Sequence, residues 1–520
     1  MTTATPAVST RPAQQRSVER PARLVLLIIV LGLLARVGLA AVIGLGVDES
    51  YAVSVARHAS LSFFDHPPLS FWMAGAAARL AGSEQRVIVR LPFILLFAGT
   101  AWLMFRLGAR LFGEWAGVYA ALLLNIAPVF SVSTGGWVLP DGPLMFFMLA
   151  STLCLARVLV DEPPTVHATR WWAAAGLFMG LALLSKYHGA FLAAGTLLFV
   201  ITTPGARRWL RHPGPYIGVA IAAVLLTPVL LWNARHGWVS FRFQGARGAS
   251  HGLHVTPLLQ SLGGQAGYLL PWIWVPLVWI LVAALARGPR DRARWLLCCL
   301  AIGPIALFTL ITLGGSPGLP HWEAPGYLML LPILGAATAA RLARDGVWTR
   351  RWLVGSTAAF VVLVIVLASD TATGWIARAA PALFRRGDPT LQALDWTELR
   401  RAVARRHLLD EPGLFVAVPS WVQAGKVSHA LGPGVPVLCF NTDPHQFYYL
   451  RDARAFVGHD ALLVALDDGR FDARTTYAPY FARIEPLDPV VLHRAGHAVI
   501  DVQLYRAYAL RRPYPAKVPR

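Results

Sequence analysis

The chain has 520 residues, of which 56% are apolar and 14% are charged, and its formal net charge is +20. Soluble domains carry about 25% charged residues, so the composition excludes an ordinary water-soluble protein and predicts a multi-pass membrane protein. The positive charge does not indicate nucleic-acid binding. The arginines stand in short loops between apolar runs, where the positive-inside bias places them, and an anionic lipid bilayer explains them better.

The apolar runs predict a membrane domain that covers residues 24–370. Residues 1–23 are rich in Ser, Thr, Pro and Arg and are predicted to be a disordered cytoplasmic N-terminus. A span needs about 20 residues, and about eleven candidates lie at 24–46, 87–107, 115–133, 142–160, 171–186, 189–203, 216–232, 268–286, 295–313, 326–342 and 352–369. The runs at 171–186 and 189–203 are short, but the arginine-rich loops fall on one side only if both of them cross.

Loop charge also predicts the orientation of the protein. Arginine clusters such as 207–211 and 287–294 fall on the same side as the basic N-terminus, which makes that side cytoplasmic. The opposite side receives the first long loop, 47–86, and everything after residue 370. We therefore expect the first outer loop and the C-terminus on the non-cytoplasmic face.

From residue 371 the composition changes, and the pattern predicts a mixed α/β domain over 371–520. A strand–helix–strand pattern lies at Leu414–Val418, Trp421–Ala430 and Val435–Phe440, with further strands at Ala461–Leu466 and Ala498–Leu504. The domain contains no glycine-rich nucleotide motif. Its histidines, His445 among them, are expected to be ordinary surface or core residues.

An acidic pair, Asp48-Glu49, stands where the first apolar run ends. Both residues suit a helix N-terminus, so capping is the simpler interpretation. The functional interpretation is that one carboxylate accepts a proton from an acceptor hydroxyl or amine while its neighbour orients the acceptor or a metal. Asp141, in a Pro-Asp-Gly-Pro sequence on the same face, has the same two interpretations. Together the three acids would form a carboxylate cluster suited to a base or a divalent cation.

Basic residues gather on the same outer face, where the positive-inside bias predicts few. Lys186-Tyr187-His188 ends a span, and snorkelling toward headgroups is the simpler account of a single lysine. The other basic residues are His66, Arg57, Arg86, Arg90, Arg235, Arg242, Arg247 and His321. Such an excess indicates an anionic ligand, and a phosphate at the membrane surface is the economical choice. A phosphate leaving group needs this charge as its bond to a sugar breaks.

A further outer loop, 318–325, places His321 and Glu323 on either side of Trp322. The pair suggests contact with a sugar or a phosphate, although tryptophan is common at membrane interfaces in any case.

The sequence makes no cofactor certain. There is no HExxH motif, and the cysteines (Cys154, Cys298, Cys299 and Cys439) show no zinc spacing. A divalent cation stays open, and its ligands would be Asp48, Glu49 and Asp141.

Five short motifs follow one another in the membrane domain. They are Val47-Asp48-Glu49-Ser50-Tyr51, Asp65-His66-Pro67-Pro68-Leu69, Arg90-Leu91-Pro92, Pro140-Asp141-Gly142-Pro143-Leu144 and Ser185-Lys186-Tyr187-His188-Gly189. With them, residues 24–370 resemble the GT-C membrane glycosyltransferases, and among these the bacterial branch related to dolichyl-phosphate-mannose protein mannosyltransferases and the aminoarabinose transferase of lipid A. The resemblance implies a GT-C-like helical domain with amphipathic juxtamembrane helices, a polyprenyl-phosphate sugar donor, inverting transfer and a site on the non-cytoplasmic face.

The resemblance also implies roles for single residues. Asp48 matches the acid of the first loop, the general base, with Glu49 beside it, and Asp141 matches the later acid. Lys186 matches a basic residue near the donor phosphate, whereas His66 stands where the aminoarabinose branch has a lysine. The remaining predicted contacts are Arg57, Arg86, Arg90, Tyr187 and His188 for the donor phosphate, and Tyr51, His321 and Glu323 for the substrate.

The resulting prediction is an inner-membrane glycosyltransferase that moves a sugar from a polyprenyl-phosphate carrier to lipid A or another envelope glycolipid. Two alternatives remain. A protein O-glycosyltransferase differs only in its acceptor. A transporter or flippase for a lipid-linked sugar would require ionisable residues at mid-membrane and an internal repeat, neither of which is visible in the sequence.

Overall fold

Helices dominate the computed structural model, which describes residues 12–161, 167–248, 252–316, 318–385, 387–466 and 471–516, with side chains from Arg20 onward. Residues 1–11, on which part of the predicted disorder falls, lie outside these ranges. Residues 12–23 are helical, so the predicted disorder is wrong there. Alanine, glutamine, arginine and glutamate favour a helix, and the apolar run that follows extends it.

Seventeen helices form the part of the chain before residue 380, within the described residues. They are α1 Pro12–Val42, α2 Val47–Ala56, α3 Leu69–Ala81, α4 Arg86–Phe112, α5 Glu114–Ile126, α6 Thr134–Gly136, α7 Asp141–Leu159, α8 Ala168–Ser185, α9 Ala190–Thr202, α10 Pro213–Arg235, α11 Val239–Ala246, α12 Val255–Leu269, α13 Pro271–Arg287, α14 Arg292–Leu313, α15 Ala324–Leu342, α16 Val347–Thr373 and α17 Trp375–Ala379.

Eight of these helices are long and apolar enough to cross a bilayer, and a bent pair of segments makes a ninth candidate. All eleven predicted runs coincide with helices of the structure, which confirms a polytopic helical membrane domain. The two short runs correspond to α8 and α9. That both cross, and that the total is eleven, stays a prediction.

The bent pair turns the chain by 77° between α5 and the segment Val129–Gly136. Pro128 has no N–H to continue the helical ladder, and a π-helical turn, Val129–Ser133, follows it. Arg36 of α1 donates its Nε to the Ser131 carbonyl oxygen at 3.1 Å and an NH2 to the Ser131 Oγ at 2.8 Å. The first of these bonds satisfies a backbone oxygen of the π-helical turn, as a membrane interior requires.

The C-terminal part contains a five-stranded mixed sheet with the order β2-β1-β3-β5-β4. Its elements are α18 Thr397–Arg405, β1 Phe415–Val418, α19 Trp421–Leu431, β2 Val437–Cys439, α20 Phe447–Leu450, β3 Ala461–Leu466, α21 Ala473–Tyr477, β4 Phe481–Arg494 and β5 His497–Leu510. Strand β1 pairs in parallel with β2 and β3, and β5 pairs antiparallel with β3 and β4. The predicted α/β domain is confirmed.

Strand β4 is the strand of the described sheet that the sequence did not predict. Pro486 and Pro489 interrupt its pattern. Proline cannot donate to a sheet ladder and is confined to edge strands or bulges. The strand lies at the edge of the sheet, and its register shifts between Leu487 and Val490.

The two parts of the chain share one hydrophobic core across the predicted boundary at residue 370. One cluster of buried side chains includes Val53 of α2, Phe71 of α3 and Phe93 of α4 together with Val416 of β1 and Val427 of α19. Helix α2 is therefore buried over residues 49–56, between the membrane domain and α19. The first outer loop is folded against the sheet domain.

One close approach between these parts is at Gly425 of α19. A Cβ built on Gly425 would lie 2.9 Å from the Tyr51 Cα, and Ser54 Oγ donates to the Gly425 carbonyl oxygen at 3.2 Å. Only a residue without a side chain allows α19 to lie this close to α2.

We predict that Gly425→Ala lowers the free energy of unfolding by about 1–3 kcal/mol, because the added methyl meets backbone that must shift. Thermal unfolding of the detergent-solubilised protein measures this. Gly434→Ala is the matched control, since nothing lies within 4 Å of its added Cβ. Equal melting temperatures for the two variants would contradict the tight docking of α19.

Candidate active site

Glu49 is buried in an ion pair with Arg90 of α4. The Arg90 Nε lies 2.8 Å from Glu49 Oε1, and its NH2 lies 2.5 Å from Oε2. Both side chains are only 2% exposed. The Glu49 oxygens also accept the backbone N–H groups of Gly46 at 2.8 Å and Val138 at 3.0 Å. The pair therefore joins the start of α2 to α4 and to the loop before α7.

The remaining hydrogen bonds of Arg90 are also made within the protein. Arg90 donates to the carbonyl oxygens of Ile43 and Gly44, both at 2.8 Å. The geometry does not support the predictions that Glu49 is catalytic and that Arg90 binds a donor phosphate, because each holds the other and the adjoining backbone. We infer that both are structural.

Asp48 has different surroundings, because neighbouring residues of a helix point about 100° apart. Its side chain is partly exposed, and no described residue donates a hydrogen bond to its carboxylate. Burial raises the pKa of Asp48, and the charges of Asp65 and Glu49 add to the increase. A carboxylate that is both accessible and of raised pKa suits a general base.

Asp141 and Lys186 form the second buried pair of the site. The Lys186 Nζ lies 2.9 and 3.0 Å from the two carboxylate oxygens of Asp141. Asp141 is the first residue of α7, where the helix dipole favours a negative charge. Lys186 stands in extended conformation at the break between α8 and the short turn Tyr187–Gly189. The break turns this side chain toward α7. Asp141 also lies close enough to Asp48 to contribute to its raised pKa.

Three histidines surround this pair. His66, His188 and His321 each interact electrostatically with both Lys186 and Asp141. The His66 Nδ1 and the His188 Nε2 are buried without a hydrogen-bond partner among the described residues. Unpaired buried polar atoms are rare in proteins and call for a ligand or water. The structure thus brings together Asp48, Asp141, Lys186 and all three predicted histidines.

Burial lowers the pKa of His66 and of His321 to about 4 in each case. The two imidazoles are therefore neutral near pH 7 and offer hydrogen bonds but no charge to an anion. Arg247, beside α11, interacts electrostatically with both and lies over the rings of Phe243 and Trp322 at 4.7 and 5.6 Å. Positive charge at the site comes from Lys186 and Arg247.

The Tyr51 hydroxyl forms hydrogen bonds with other groups of the protein. It donates to Asp65 Oδ1 at 3.0 Å and accepts the backbone N–H of Gln446 at 3.1 Å. It therefore acts as a link between the loop after α2 and the sheet domain, which does not support its predicted contact with substrate. The ring of Tyr187 packs against Phe241, with centroids 5.2 Å apart.

The sheet domain contributes a residue that the sequence did not indicate. His445 stacks on Trp421 with ring centroids 4.4 Å apart, and it interacts electrostatically with Asp48. Its Nδ1 is buried without a partner among the described residues. Nearly 400 residues separate it from Asp48, and no motif marks it, so sequence spacing carried no signal. Asp65, which contacts Tyr51, lies in the motif Asp65-His66-Pro67-Pro68-Leu69, so the sequence could have indicated it as a residue of the site.

Arg57 and Arg86 are not brought to Lys186. Arg57 binds Glu84 through its Nε and NH2 at 2.8 and 2.7 Å, and it donates to the Ser428 carbonyl oxygen and Oγ at 3.0 and 2.9 Å. It follows Asp48 by nine residues, which at about 100° per residue is the opposite side of α2. Arg86 donates to the carbonyl oxygen of Val42 at 3.3 Å. The prediction that both contact the donor phosphate is therefore not supported.

Glu323 belongs to a separate buried chain of hydrogen bonds. Gln265 Nε2 donates to Glu323 Oε1 at 3.0 Å, Tyr327 Oη donates to Gln265 Oε1 at 2.7 Å, and Trp274 Nε1 donates to Tyr327 Oη at 2.9 Å. Burial raises the pKa of Glu323 to about 7. This chain joins α12, α13 and the start of α15, so Glu323 is placed as a structural link.

The acids do not fit the open prediction of a cation site. Over the described ranges, no group of three or more His, Cys, Asp or Glu side chains is arranged to hold a metal ion. Glu49 is bound to Arg90 and Asp141 to Lys186. A cation among Asp48, Glu49 and Asp141 would have to displace both ion pairs.

Comparison with known proteins identifies the fold. Crystal structures of ArnT from Cupriavidus metallidurans, one bound to undecaprenyl phosphate and one in the apo state, superpose with TM-scores of 0.62 and 0.60. Identity is 16% and 17%, and each match covers 92% of this chain and 97% of ArnT. The chain has the GT-C fold. Residues 65–232 also match the family described as dolichyl-phosphate-mannose-protein mannosyltransferase.

A curated relative of this GT-C protein is the lipid A galacturonosyltransferase RgtD of Rhizobium johnstonii. The two are 27% identical over 290 residues, which make up 54% of this chain and 58% of the relative. The match thus spans little more than half the length of that relative. The resemblance predicted from the loop motifs, to the mannosyltransferases and to the lipid A aminoarabinose transferase, is confirmed.

The buried Glu49–Arg90 ion pair predicts a large effect of Arg90→Met. This variant should lower the free energy of unfolding by about 3–5 kcal/mol, because Glu49 would stay buried as an uncompensated charge. Thermal unfolding in detergent measures this. The control is Arg483→Met, whose exposed pair with Glu485 should contribute about 1 kcal/mol or less. Similar losses in the two variants would show that the Glu49–Arg90 pair does not hold α2.

The raised pKa of Glu323 predicts that the stability of the protein depends on pH. Between the ordinary Glu323 pKa of 4.5 and the folded value of about 7, the folded protein keeps a proton that the unfolded chain has released. The free energy of unfolding therefore falls as pH rises through this window, by on the order of 3 kcal/mol. Glu323→Gln removes the proton exchange and keeps the hydrogen-bond acceptor. Melting temperatures of both proteins from pH 4 to pH 8 test this, and parallel curves would contradict it.

Proposed function

We propose that this protein is a glycosyltransferase of the bacterial inner membrane that moves a sugar from a polyprenyl-phosphate carrier to lipid A. The observation that carries the proposal is the placement of Asp48. It is an accessible carboxylate of raised pKa, and it lies beside a buried Asp141–Lys186 pair. The GT-C fold, the undecaprenyl phosphate bound to ArnT and the lipid A named as substrate of RgtD support the choice of donor and acceptor.

In the proposed reaction, Asp48 takes the proton of an acceptor hydroxyl as its oxygen attacks the anomeric carbon of the donor sugar. The bond from that carbon to the phosphate oxygen breaks, and polyprenyl phosphate leaves with both electrons. Attack from the face opposite the phosphate inverts the anomeric configuration. The raised pKa of Asp48 brings the carboxylate nearer to the operating pH, where a general base works best.

Lys186 would hold the phosphate that leaves. Lys186 and Arg247 are cations near the site, while His66 and His321 are neutral near pH 7 and would supply hydrogen bonds. An anion at this position competes with Asp141 for the Lys186 ammonium. We propose that Asp141 keeps Lys186 oriented and charged in a buried setting, where an unpaired cation would be costly.

We propose that the site and the sheet domain both lie on the periplasmic face. Support comes from the arginine-rich loops, which fall on the side of the N-terminus. The polyprenyl chain would lie against the spans.

A protein acceptor is the second candidate function. It is favoured by one observation, the match of residues 65–232 to the protein mannosyltransferase family. A membrane preparation from a strain that lacks this gene separates the two. Loss of one sugar increment from lipid A supports the first candidate, and loss of glycan from envelope proteins supports the second.

We expect Asp48→Asn to reduce sugar transfer by about 10²–10⁴-fold, the usual contribution of general-base catalysis. The melting temperature and the binding of undecaprenyl phosphate should stay near their wild-type values, because Asp48 neither packs in the core nor contacts the leaving group. Turnover of a radiolabelled polyprenyl-phosphate sugar with lipid A in nanodiscs measures this.

Asp452→Asn is the matched control for Asp48→Asn. Asp452 is exposed on the sheet domain, where it accepts a backbone N–H bond from Arg454 at 2.9 Å, so transfer should be unchanged. Near-normal turnover in Asp48→Asn would reject Asp48 as the base.

A further inference from the structure

A second charged cavity lies behind α2, on the side away from Asp48. Its volume is about 1020 Å³, at the upper end of the range for ligand pockets. Its walls are the opposite face of α2 with Ser50 and Val53, the C-terminal half of α3, the start of α4, and α19. Helix α18 and the segment before it close the remaining side. We call this cavity the rear cleft.

The rear cleft is strongly cationic. Five lining residues carry positive charge, and they are Arg57, Arg79, Arg86, Arg400 and Lys426. Two lining residues carry negative charge, Glu84 and Asp395. Glu84 is used by Arg57, and Asp395 caps α18 by accepting the Thr397 N–H at 2.9 Å. The excess charge belongs to the other four cations.

Three of these four cations, Lys426, Arg79 and Arg86, are held by neutral backbone groups. The Lys426 Nζ donates to the carbonyl oxygens of Leu45 at 2.5 Å and Leu394 at 2.9 Å, and Lys426 is only 5% exposed. Arg79 and Arg86 each donate to a backbone carbonyl oxygen at 3.3 Å. Among the described residues, no carboxylate forms an ion pair with Lys426, Arg79, Arg86 or Arg400. Backbone oxygens orient Lys426, Arg79 and Arg86 without a direct ion pair. Glu49 and Asp395 act on Lys426 only through longer-range electrostatics, so the cleft keeps an excess of positive charge, as in a site prepared for an anion.

The rear cleft is separate from the candidate active site. Neither Asp48 nor the Asp141–Lys186 pair is among the described residues that line it. An anion bound there would not be the phosphate that leaves in the proposed reaction. The sequence could not separate the two sets of cations, because each set comes from segments that are far apart in the chain.

The rear cleft also opens at the membrane boundary. Ala41, at the end of α1, and Val87, at the start of α4, are lining residues, and both belong to candidate spans. A ligand here would have its charged group between the helices of the first outer loop and the sheet domain, and its apolar part along α1 and α4. Soluble phosphate would contact only the charged part of the cleft and not the apolar surface of α1 and α4.

We propose that the rear cleft binds the phosphorylated headgroup of an anionic lipid. The guanidinium groups of Arg79 and Arg400 meet the phosphate from the two open sides, and Lys426 neutralises it from the buried end. Arg86 lies where the headgroup meets the bilayer. This assignment does not depend on the proposed function, because it concerns binding and requires no turnover.

The test uses the full-length protein in detergent and native mass spectrometry, with lipid A, phosphatidylglycerol, phosphatidylcholine and inorganic phosphate as probes. We expect lipid A and phosphatidylglycerol to bind and zwitterionic phosphatidylcholine to bind at least about tenfold more weakly. The double variant Arg79→Gln/Arg400→Gln should lose about tenfold or more in affinity for the anionic lipids. Both arginines are exposed, so folding should be unaffected.

Lys426→Met provides a second variant with the same expected loss, and Arg474→Gln, an exposed arginine elsewhere on the sheet domain, is the control and should bind as wild type. Equal binding of the anionic lipids to wild type and both rear-cleft variants would overturn the proposal. Inorganic phosphate that binds as tightly as lipid A would overturn its lipid part. Asp48→Asn should retain lipid binding while losing transfer, so a failure of either proposal can be recognised separately.

Discussion

The buried ion pair between Glu49 and Arg90 fixes the geometry on which the site depends. Two charges removed from water are costly unless they are paired with good geometry and their remaining hydrogen-bonding groups are satisfied. Here the backbone N–H groups of Gly46 and Val138 and the carbonyl oxygens of Ile43 and Gly44 complete the pair. The start of α2 can therefore take only one position relative to α4 and α7. Asp48 inherits that position as the residue that directly precedes Glu49 in the helix.

The sheet domain completes this arrangement from the other side. Helix α19 lies against α2 at Gly425, and the loop that follows β2 brings Gln446 to Tyr51 and His445 into electrostatic range of Asp48. A domain that looks like a separate unit in the sequence thus forms one wall of the candidate active site. Its removal would expose α2, which is buried over nearly its whole length.

Helix α2 also separates two populations of positive charge. On one side, Lys186 is paired with Asp141 and surrounded by neutral histidines. In this buried setting, the Lys186 ammonium is the group that can bind an anion strongly. On the other side, Lys426 and two arginines, Arg79 and Arg86, are held by carbonyl oxygens and form no ion pair with a described carboxylate. A helix turns by about 100° per residue, so residues of one short segment serve both sides.

The sequence by itself determined the class of protein, the location of the helices and the kinds of residue at the site. These follow from local signals: apolar runs long enough for a bilayer, loops of one charge sign, and short motifs such as Asp65-His66-Pro67-Pro68. They also placed Asp48, Asp141 and Lys186 on one face, where the structure brings them together. The strand β4 was missed because its two prolines remove the pattern that marks a strand.

Only the tertiary structure decided which charges pair. Asp48 and Glu49 are adjacent and chemically alike, and their surroundings differ because Arg90, 41 residues after Glu49, reaches only Glu49. Arg57 lies on the side of α2 away from Asp48, which the sequence could not show because loop membership carries no information on helix phase relative to a neighbour. His445 came from a distant domain, through packing that no spacing in the chain records. Ion pairing depends on distances of a few ångströms between elements far apart in sequence, and those distances are set by the folded core.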